Sequence, residues 1–325
     1  MNPTRRLFAL GAIACAALAT AGTALAQFPE KPLRIVVGAP AGGSADIIAR
    51  TLSEGLTQQL GQPVMVDNKP GGAGLIGLQE VLKAPRDGHT VMVSVNGLVS
   101  EIPHAMKMPV DPMKELRPVA ELARTGLLFV GSPQVPASNV KEVIAYIKAN
   151  PGKVNFASYS PGSLSHTLGL EFNKLTGTDM AHVGYKGSPP ALTDLIGGHV
   201  SFMFDGPATS IPMIKGGKIK VFATTAPARL SMLPDVPTFA ELGYKDLTET
   251  AWMGLFVAAD VPAAAQTRLR EAVLKVLEQP AVRQRFAALG LDMAPPASPD
   301  ELVRSLRTAS ERQAATLKAV GFKPE

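Results

Sequence analysis

The chain has one cysteine, one tryptophan and four tyrosines among 325 residues. A single cysteine excludes an intramolecular disulfide framework and any cysteine-rich zinc module. So few large rings leave no stacking inventory for a sugar binder and no cage for a quaternary ammonium ion. Charge is also scarce. Only 18% of residues are acidic or basic, and the net +5 is spread without a basic stripe, so nothing points to nucleic acid. His89, His104, His182 and His199 show no H-E-x-x-H or paired-ligand spacing, which argues against a metal site. What is abundant is apolar surface, 46% of residues, with 30 glycines and 28 prolines as punctuation. That composition excludes general disorder, and the length suits one large or two ordinary domains.

One long apolar run stands apart. Arg5 and Arg6 precede the Ala-rich stretch from Leu7 to Leu25, which ends Ala24-Leu25-Ala26. A positive region, an apolar region and an A-x-A site predict an export signal over residues 1–26, cut after Ala26. The alternative, an uncleaved anchor, is disfavoured by the Ala, Gly and Thr content of a run barely long enough to span. Thr4-Arg5-Arg6-Leu7-Phe8 also resembles the twin-arginine pattern, so the sequence leaves the export route open. Ala14-Cys15 is a faint lipoprotein site that would leave an apolar N-terminus. Removal of the signal takes away Cys15, and the remaining chain, with no other run of spanning length, reads as periplasmic.

Beyond the signal, short β-rich runs alternate with helical spacing. The runs are Leu33–Val37, Val64–Asp67, Thr90–Val95, Leu127–Val130, Val154–Ser158, His182–Tyr185, Val200–Asp205, Lys220–Thr224 and Trp252–Val257. Ile48, Leu52, Leu56 and Leu60 fall on one face of a helix from about Ser44. Val140, Ile144 and Ile147 precede the stop Asn150-Pro151-Gly152. Such alternation predicts an α/β fold with parallel sheets covered on both faces. Pro-rich passages at Val110–Pro118 and Ser132–Pro136, and the stretch Ala226–Pro237, are the expected crossings between two lobes. Lobe 1 is then 27–130 with 222–325, and lobe 2 is 131–221. The helices after Pro262 complete lobe 1.

Four strand-to-helix turns hold the candidate chemistry. The first, Gly38-Ala39-Pro40-Ala41-Gly42-Gly43-Ser44-Ala45-Asp46, brings glycine backbone and a helix N-terminus together, which suits an anion. It equally suits a tight connection with no ligand. The second contains Gly72, Gly74 and Gly77, formally G-x-G-x-x-G, and so admits a nicotinamide cofactor. The acidic residue expected after the next strand is missing, since Thr90–Val95 runs into Asn96-Gly97. A side chain at Gly42 or Gly72 should fill the space an anion needs, so Gly72→Val is expected to abolish binding. The third, Ser158-Tyr159-Ser160-Pro161-Gly162-Ser163-Leu164-Ser165-His166, offers hydroxyl donors for a carboxylate or simply a helix cap beside a histidine. Ser163, His166 and Asp205 could be read as a hydrolase triad, but there is no G-x-S-x-G elbow. In the fourth, Lys186 either attracts an anion or is a solvated surface lysine. Asp205 either accepts a ligand hydrogen bond or caps the next helix.

These turns resemble the Bug family of periplasmic receptors, the substrate-binding components of tripartite tricarboxylate transporters. The likeness lies in Pro40-Ala41-Gly42-Gly43-Ser44-Ala45-Asp46, Asp67-Asn68-Lys69-Pro70-Gly71-Gly72-Ala73-Gly74, Asp87-Gly88-His89-Thr90, Asn150-Pro151-Gly152-Lys153, Val183-Gly184-Tyr185-Lys186-Gly187, Leu233-Pro234-Asp235-Val236-Pro237-Thr238 and Trp252-Met253-Gly254-Leu255. It implies a type II periplasmic-binding-protein fold and a small carboxylate, from an organic acid, an amino acid or an aromatic acid, held in an interlobe cleft. By motif, Ala41, Gly42, Gly43 and Asp46 with Gly72, Ala73 and Gly74 would form one wall. Ser158, Ser163, His166, Lys186, Gly187, Ser188 and Asp205 would form the other, with Asn96 at a position that varies in the family. Ser160 stands where the family usually has glycine, and Gly184 where it usually has proline. No catalytic residue and no cofactor are implied. The implied partners are the ligand and membrane transporter subunits, or a signalling partner, for a monomeric receptor. The rival readings are an exported serine hydrolase using Ser163 and His166, and an exported nicotinamide-dependent oxidoreductase.

Overall fold

The computed structural model describes residues 28–293 and 295–324. The expected export signal lies outside the described residues. Two five-stranded sheets form the frame. In the first, β1 (Leu33–Val37) leads through helix α1 (Ser44–Leu60) to β2 (Val64–Asn68). A 3₁₀ turn (Gly72–Gly74) and α2 (Leu75–Lys83) return the chain to β3 (Thr90–Val95). The short helices α3 (Gly97–Ser100) and α4 (Pro112–Glu115) then precede β4 (Leu116–Gly126).

The second sheet begins with β5 (Leu128–Gly131) and α5 (Val140–Ala149), followed by β6 (Asn155–Ser158) and α6 (Leu164–Thr176). It continues with β7 (Ala181–Gly184), α7 (Ser188–Gly197), β8 (Phe202–Asp205), α8 (Pro207–Lys215) and β9 (Lys220–Thr224). The chain then returns to the first sheet as β10 (Thr250–Ala258). It ends in α9 (Ala263–Leu277), α10 (Pro280–Ala288) and α11 (Pro299–Ala319).

The sheets are mixed rather than parallel. β1 pairs in parallel with β2 and β3, whereas β10 runs antiparallel to both β3 and β4. Likewise β6 is parallel to β7 and β8, and β5 is antiparallel to β8 and β9. The reason is connectivity. β5 and β10 enter their sheets from the other lobe, without the helical crossover that a parallel strand requires.

The crossings also differ from those expected at the prolines. β4 begins within the last three residues of the Val110–Pro118 passage and belongs to the first sheet, so the chain passes over after it, at Gly126–Leu128. The break expected at 130/131 falls inside β5, and that at 221/222 falls inside β9; both strands belong to the second sheet. Segment 226–247 stays with the second lobe, because Leu230, Phe239 and Leu247 are buried in its core. The two crossings are bound to each other. Thr225 accepts from the Leu127 N–H through Oγ1 (2.8 Å) and donates its own N–H to the Leu127 carbonyl (2.8 Å). It also exchanges hydrogen bonds with Glu249, which fixes the two connections as one narrow waist.

Each lobe has its own core. Ile48, Leu52 and Leu56 of α1 are buried against the first sheet and α9, as the four-residue spacing requires, each stabilising by about 1.5–3 kcal/mol. The helices after Pro262 pack on this lobe: Leu269, Val273, Val276 and Phe286 share its core. The scarce aromatics are concentrated in the second lobe, where Phe129 lies 4.7 Å from Phe204 and 4.9 Å from Phe172, ring centre to ring centre. A capping box formed by Ser298 and Glu301 starts α11, whose far end reaches across to the second lobe. There Gln313 donates to the Gly162 carbonyl at 2.8 Å. Among the described residues no helix is long and apolar enough to cross a membrane.

Candidate functional site

A cavity of about 180 Å³ lies between the sheets, at the carboxyl ends of their parallel strands. This is where open α/β sheets bind ligands. One wall is the turn after β1, with Pro40, Gly43, Ser44 and Ala45, joined by Ala73 and Gly74 from the 3₁₀ turn. The other is Tyr159, Ser160 and Ser163 before α6, and Lys186, Gly187 and Ser188 before α7. Thr125 and Leu127 at the waist and Met253 of β10 also line it. Glu101 and Lys186 are the charged residues of the lining.

The donors come from backbone. The N–H groups of Ser44 and Ala45, in the first turn of α1, have no intrahelical partner and carry the positive end of the helix dipole. Asp46 stabilises this turn from behind: its carboxylate accepts from the Gly42 N–H at 2.9 Å and from Arg50. Burial alone would raise the Asp46 pKa, but the Gly42 N–H and Arg50 outweigh it and hold the group below its ordinary value. The opposite wall contributes Ser188, 6% exposed, whose hydroxyl has no hydrogen-bond partner of good geometry. Beside it, Asp205 accepts from Thr209 at 2.7 Å and Ser210 at 2.5 Å through one oxygen, leaving the other unpartnered. Burial raises the Asp205 pKa, against the opposing hydroxyls of Ser188, Ser210, Thr209 and Tyr159.

The lobes meet at several points around this cavity. Gly187, at φ +109°, has no room for a side chain, since a Cβ would lie 2.7 Å from Pro40 Cδ across the cleft. Glu101, at the end of α3, accepts from the Leu164 N–H of α6 at 2.8 Å.

Of the residues expected in the site, Gly43, Ala73, Gly74, Ser163, Lys186, Gly187 and Ser188 line the cavity. The others do not. Ala41, Gly42 and Gly72 are exposed on the outer edges of their turns, and a Cβ on Gly42 would meet nothing within 4 Å. The expectation that a side chain at Gly42 or Gly72 would fill the anion space therefore has no support here; the inward positions are Gly43 and Gly74. Asp46 and Asp205 support the walls from behind. Asn96 ties β3 to β10 through both its N–H and its side-chain oxygen, which meet the backbone of Trp252 at 2.8 and 2.9 Å. Ser158, at the end of β6, and His166, in the first turn of α6, are buried, with His166 stacked on His182 at 3.8 Å and Ser158 Oγ meeting His182 Nε2 at 2.7 Å. Sequence reasoning missed Ser44, Thr125, Tyr159, Tyr185 and Glu101. Both tyrosines stood inside motifs already singled out, whereas nothing local marked Glu101.

Hydrolase geometry is not formed. Ser163 Oγ donates to the Ser160 carbonyl at 2.8 Å, and His166 Nδ1 accepts from the Gly162 N–H at 3.0 Å, so the two side chains are engaged apart. Asp205 is committed to Thr209 and Ser210 rather than to a histidine. Among the described residues no group of three His, Cys, Asp or Glu could hold a metal ion.

Residues 48–322 match the model of the tripartite tricarboxylate transporter family receptor. Protein BugT of Bordetella pertussis is 31% identical over 327 residues, covering 99% of both chains. The solved periplasmic binding protein BugD is 30% identical with a TM-score of 0.87, over 92% of this chain and 100% of that one. MatC from Rhodopseudomonas palustris, solved with bound malate, is 30% identical with a TM-score of 0.82, over 89% and 100% of the two chains.

Proposed function

The chain belongs to the tripartite tricarboxylate transporter receptor family, and from that premise we propose that it is a periplasmic receptor that closes its two lobes over a small carboxylate. The observation that carries this reading is one cavity supplied from both sides. The N–H groups of the first turn of α1 line it from the first lobe, and the hydroxyl-bearing Tyr159, Ser160, Ser163 and Ser188 line it from the second. A carboxylate docks on the α1 terminus, where it meets fixed donors and the positive end of the dipole. The second lobe, turning about the Leu127–Thr225–Glu249 waist, then completes its hydrogen bonds. Contacts made only in the closed form draw the equilibrium toward it. MatC, which binds malate, supports the carboxylate class.

In this reading the signal is removed after Ala26 and the monomer delivers its ligand to transporter membrane subunits or to a signalling partner. It carries out no catalysis. The separate engagement of Ser163 and His166 favours the receptor over a hydrolase.

The test is a thermal-shift panel of mono- and dicarboxylic acids, amino acids and NAD(P), followed by calorimetry. A true ligand at a hundred times its Kd stabilises the fold by about 2.7 kcal/mol. Stabilisation by at least one carboxylate is expected. Stabilisation by NAD(P) alone, or turnover of an ester that Ser163→Ala abolishes, would overturn the reading.

A further inference from the structure

We propose that Glu101 is a specificity-determining residue that restricts the receptor to ligands with a single carboxylate and an apolar body. This rests on the receptor reading above and deepens it.

The second lobe offers three helix N-termini near the cavity, and the first turn of each is blocked or depleted of donors. α6 is taken: its first N–H, that of Leu164, is already bonded to Glu101 Oε2 at 2.8 Å. The chain's own carboxyl group, delivered from the first lobe and 7% exposed, thus sits where a second ligand carboxylate would seek donors. α7 begins Ser188-Pro189-Pro190, so of its first three positions Ser188 alone has an N–H to give. α8 starts with Pro207, and the Thr209 N–H turns back to the Gly206 carbonyl. The α1 terminus, in the first lobe, presents the consecutive amides of Ser44 and Ala45 to the cavity.

Val95, Leu98, Ile102, Leu127, Leu164 and Met253 give the same cavity apolar lining. A second carboxylate beside Glu101 would lose water, find the Leu164 N–H already bonded, and face a like charge. Burial raises the Glu101 pKa to about 7, against the opposing Leu164 N–H and the more distant Arg312. The exclusion is therefore strongest above neutrality, where the group is ionised. Lys186 faces the same cavity, but it is exposed and cannot neutralise a buried pair of carboxylates. The size agrees. About 180 Å³ exceeds the roughly 150 Å³ apolar cavity known to hold a benzene, leaving space for one ring or a short chain beyond the carboxylate.

The experiment is calorimetry of the full mature protein with matched acids: hexanoate against adipate, and benzoate against terephthalate. Each pair differs only in the far end. At pH 8 at least one monocarboxylate should bind tenfold or more tighter than its dicarboxylate partner. That ratio should shrink at pH 6 in the wild type. In Glu101→Gln, which keeps an acceptor for Leu164, it should fall below threefold and lose its pH dependence. Both dicarboxylates binding as tightly as their partners in the wild type, or a ratio unmoved in Glu101→Gln, would overturn the assignment while leaving the receptor reading intact. Tenfold tighter binding of 6-aminohexanoate than hexanoate would overturn the apolar half. Failure of every carboxylate in both panels would remove the receptor reading, and this inference with it.

Discussion

Gly162 gives the sharpest test that lobe closure holds the ligand. It lies in the second lobe just before α6, at φ +76°, and a Cβ built on it would fall 1.9 Å from the Cβ of Ala105 in the first lobe. Ordinary carbon contact is about 3.5–4.0 Å, so Gly162→Ala forces the lobes about 2 Å apart at that point or distorts the backbone. Overpacking of this kind costs about 1–3 kcal/mol, and borne by the closed form it weakens ligand binding about 5- to 150-fold. The left-handed backbone adds about 1–2 kcal/mol in any lobe arrangement, and that part appears in Tm rather than in affinity. The two contributions separate in the double variant Gly162→Ala with Ala105→Gly. Removing the opposing Cβ should restore affinity to within about threefold, while the backbone cost stays in the melting curve. Calorimetry of the tightest carboxylate and thermal melts measure both. Neither residue lines the cavity. Wild-type affinity in the single variant, or no recovery in the double, would refute the reasoning.

Other predictions concern stability and the walls. Glu101 has a folded pKa of about 7 against an ordinary 4.5, so its contribution is fully present below pH 4.5 and is lost as pH rises through 7. Glu101→Gln should therefore gain up to about 3 kcal/mol over the wild type at pH 8 and little at pH 4.5, read from urea melts at both pH values. His166 and His182 run the other way. Burial lowers them to about 3 and about 4, the His182 neighbour adding to the effect on His166, so their contribution holds above pH 6.5 and is lost as pH falls toward 4. Imidazole proton shifts should show no protonation at pH 6, and titration near 6.5 would contradict the burial. Thr225→Val leaves the buried Leu127 N–H and Glu249 carbonyl without their shared hydroxyl, at about 1–3 kcal/mol each, which a lowered Tm should show. Ser188→Ala removes a cleft-wall hydroxyl beside Asp205, so ligand affinity should fall about tenfold by calorimetry.

The fold was legible where local pattern decides structure. Ile48, Leu52, Leu56 and Leu60 mark α1 because one helical face must be buried, and the turns that start α1 and α7 show in their glycines and prolines. β4 was not legible. Arg117, Pro118, Glu121 and Arg124 interrupt its apolar run, and a proline is tolerated because β4 is an edge strand paired only with β10. The antiparallel entry of β5 and β10 was equally hidden, since strand direction depends on which lobe the chain arrives from. In the site, Gly43, Gly74, Lys186 and Ser188 could be read from turn chemistry. Glu101 could not: its partner is Leu164, 63 residues away, and only the meeting of the lobes joins them.

The central claim is that amides at the α1 terminus hold a carboxylate between the lobes. A crystal structure with the tightest acid of the panel tests it directly. The account predicts a carboxylate oxygen about 3 Å from the backbone nitrogens of Ser44 or Ala45, with Ser188 donating from the other side. A ligand bound elsewhere, with those amides still facing an empty cleft, would contradict it.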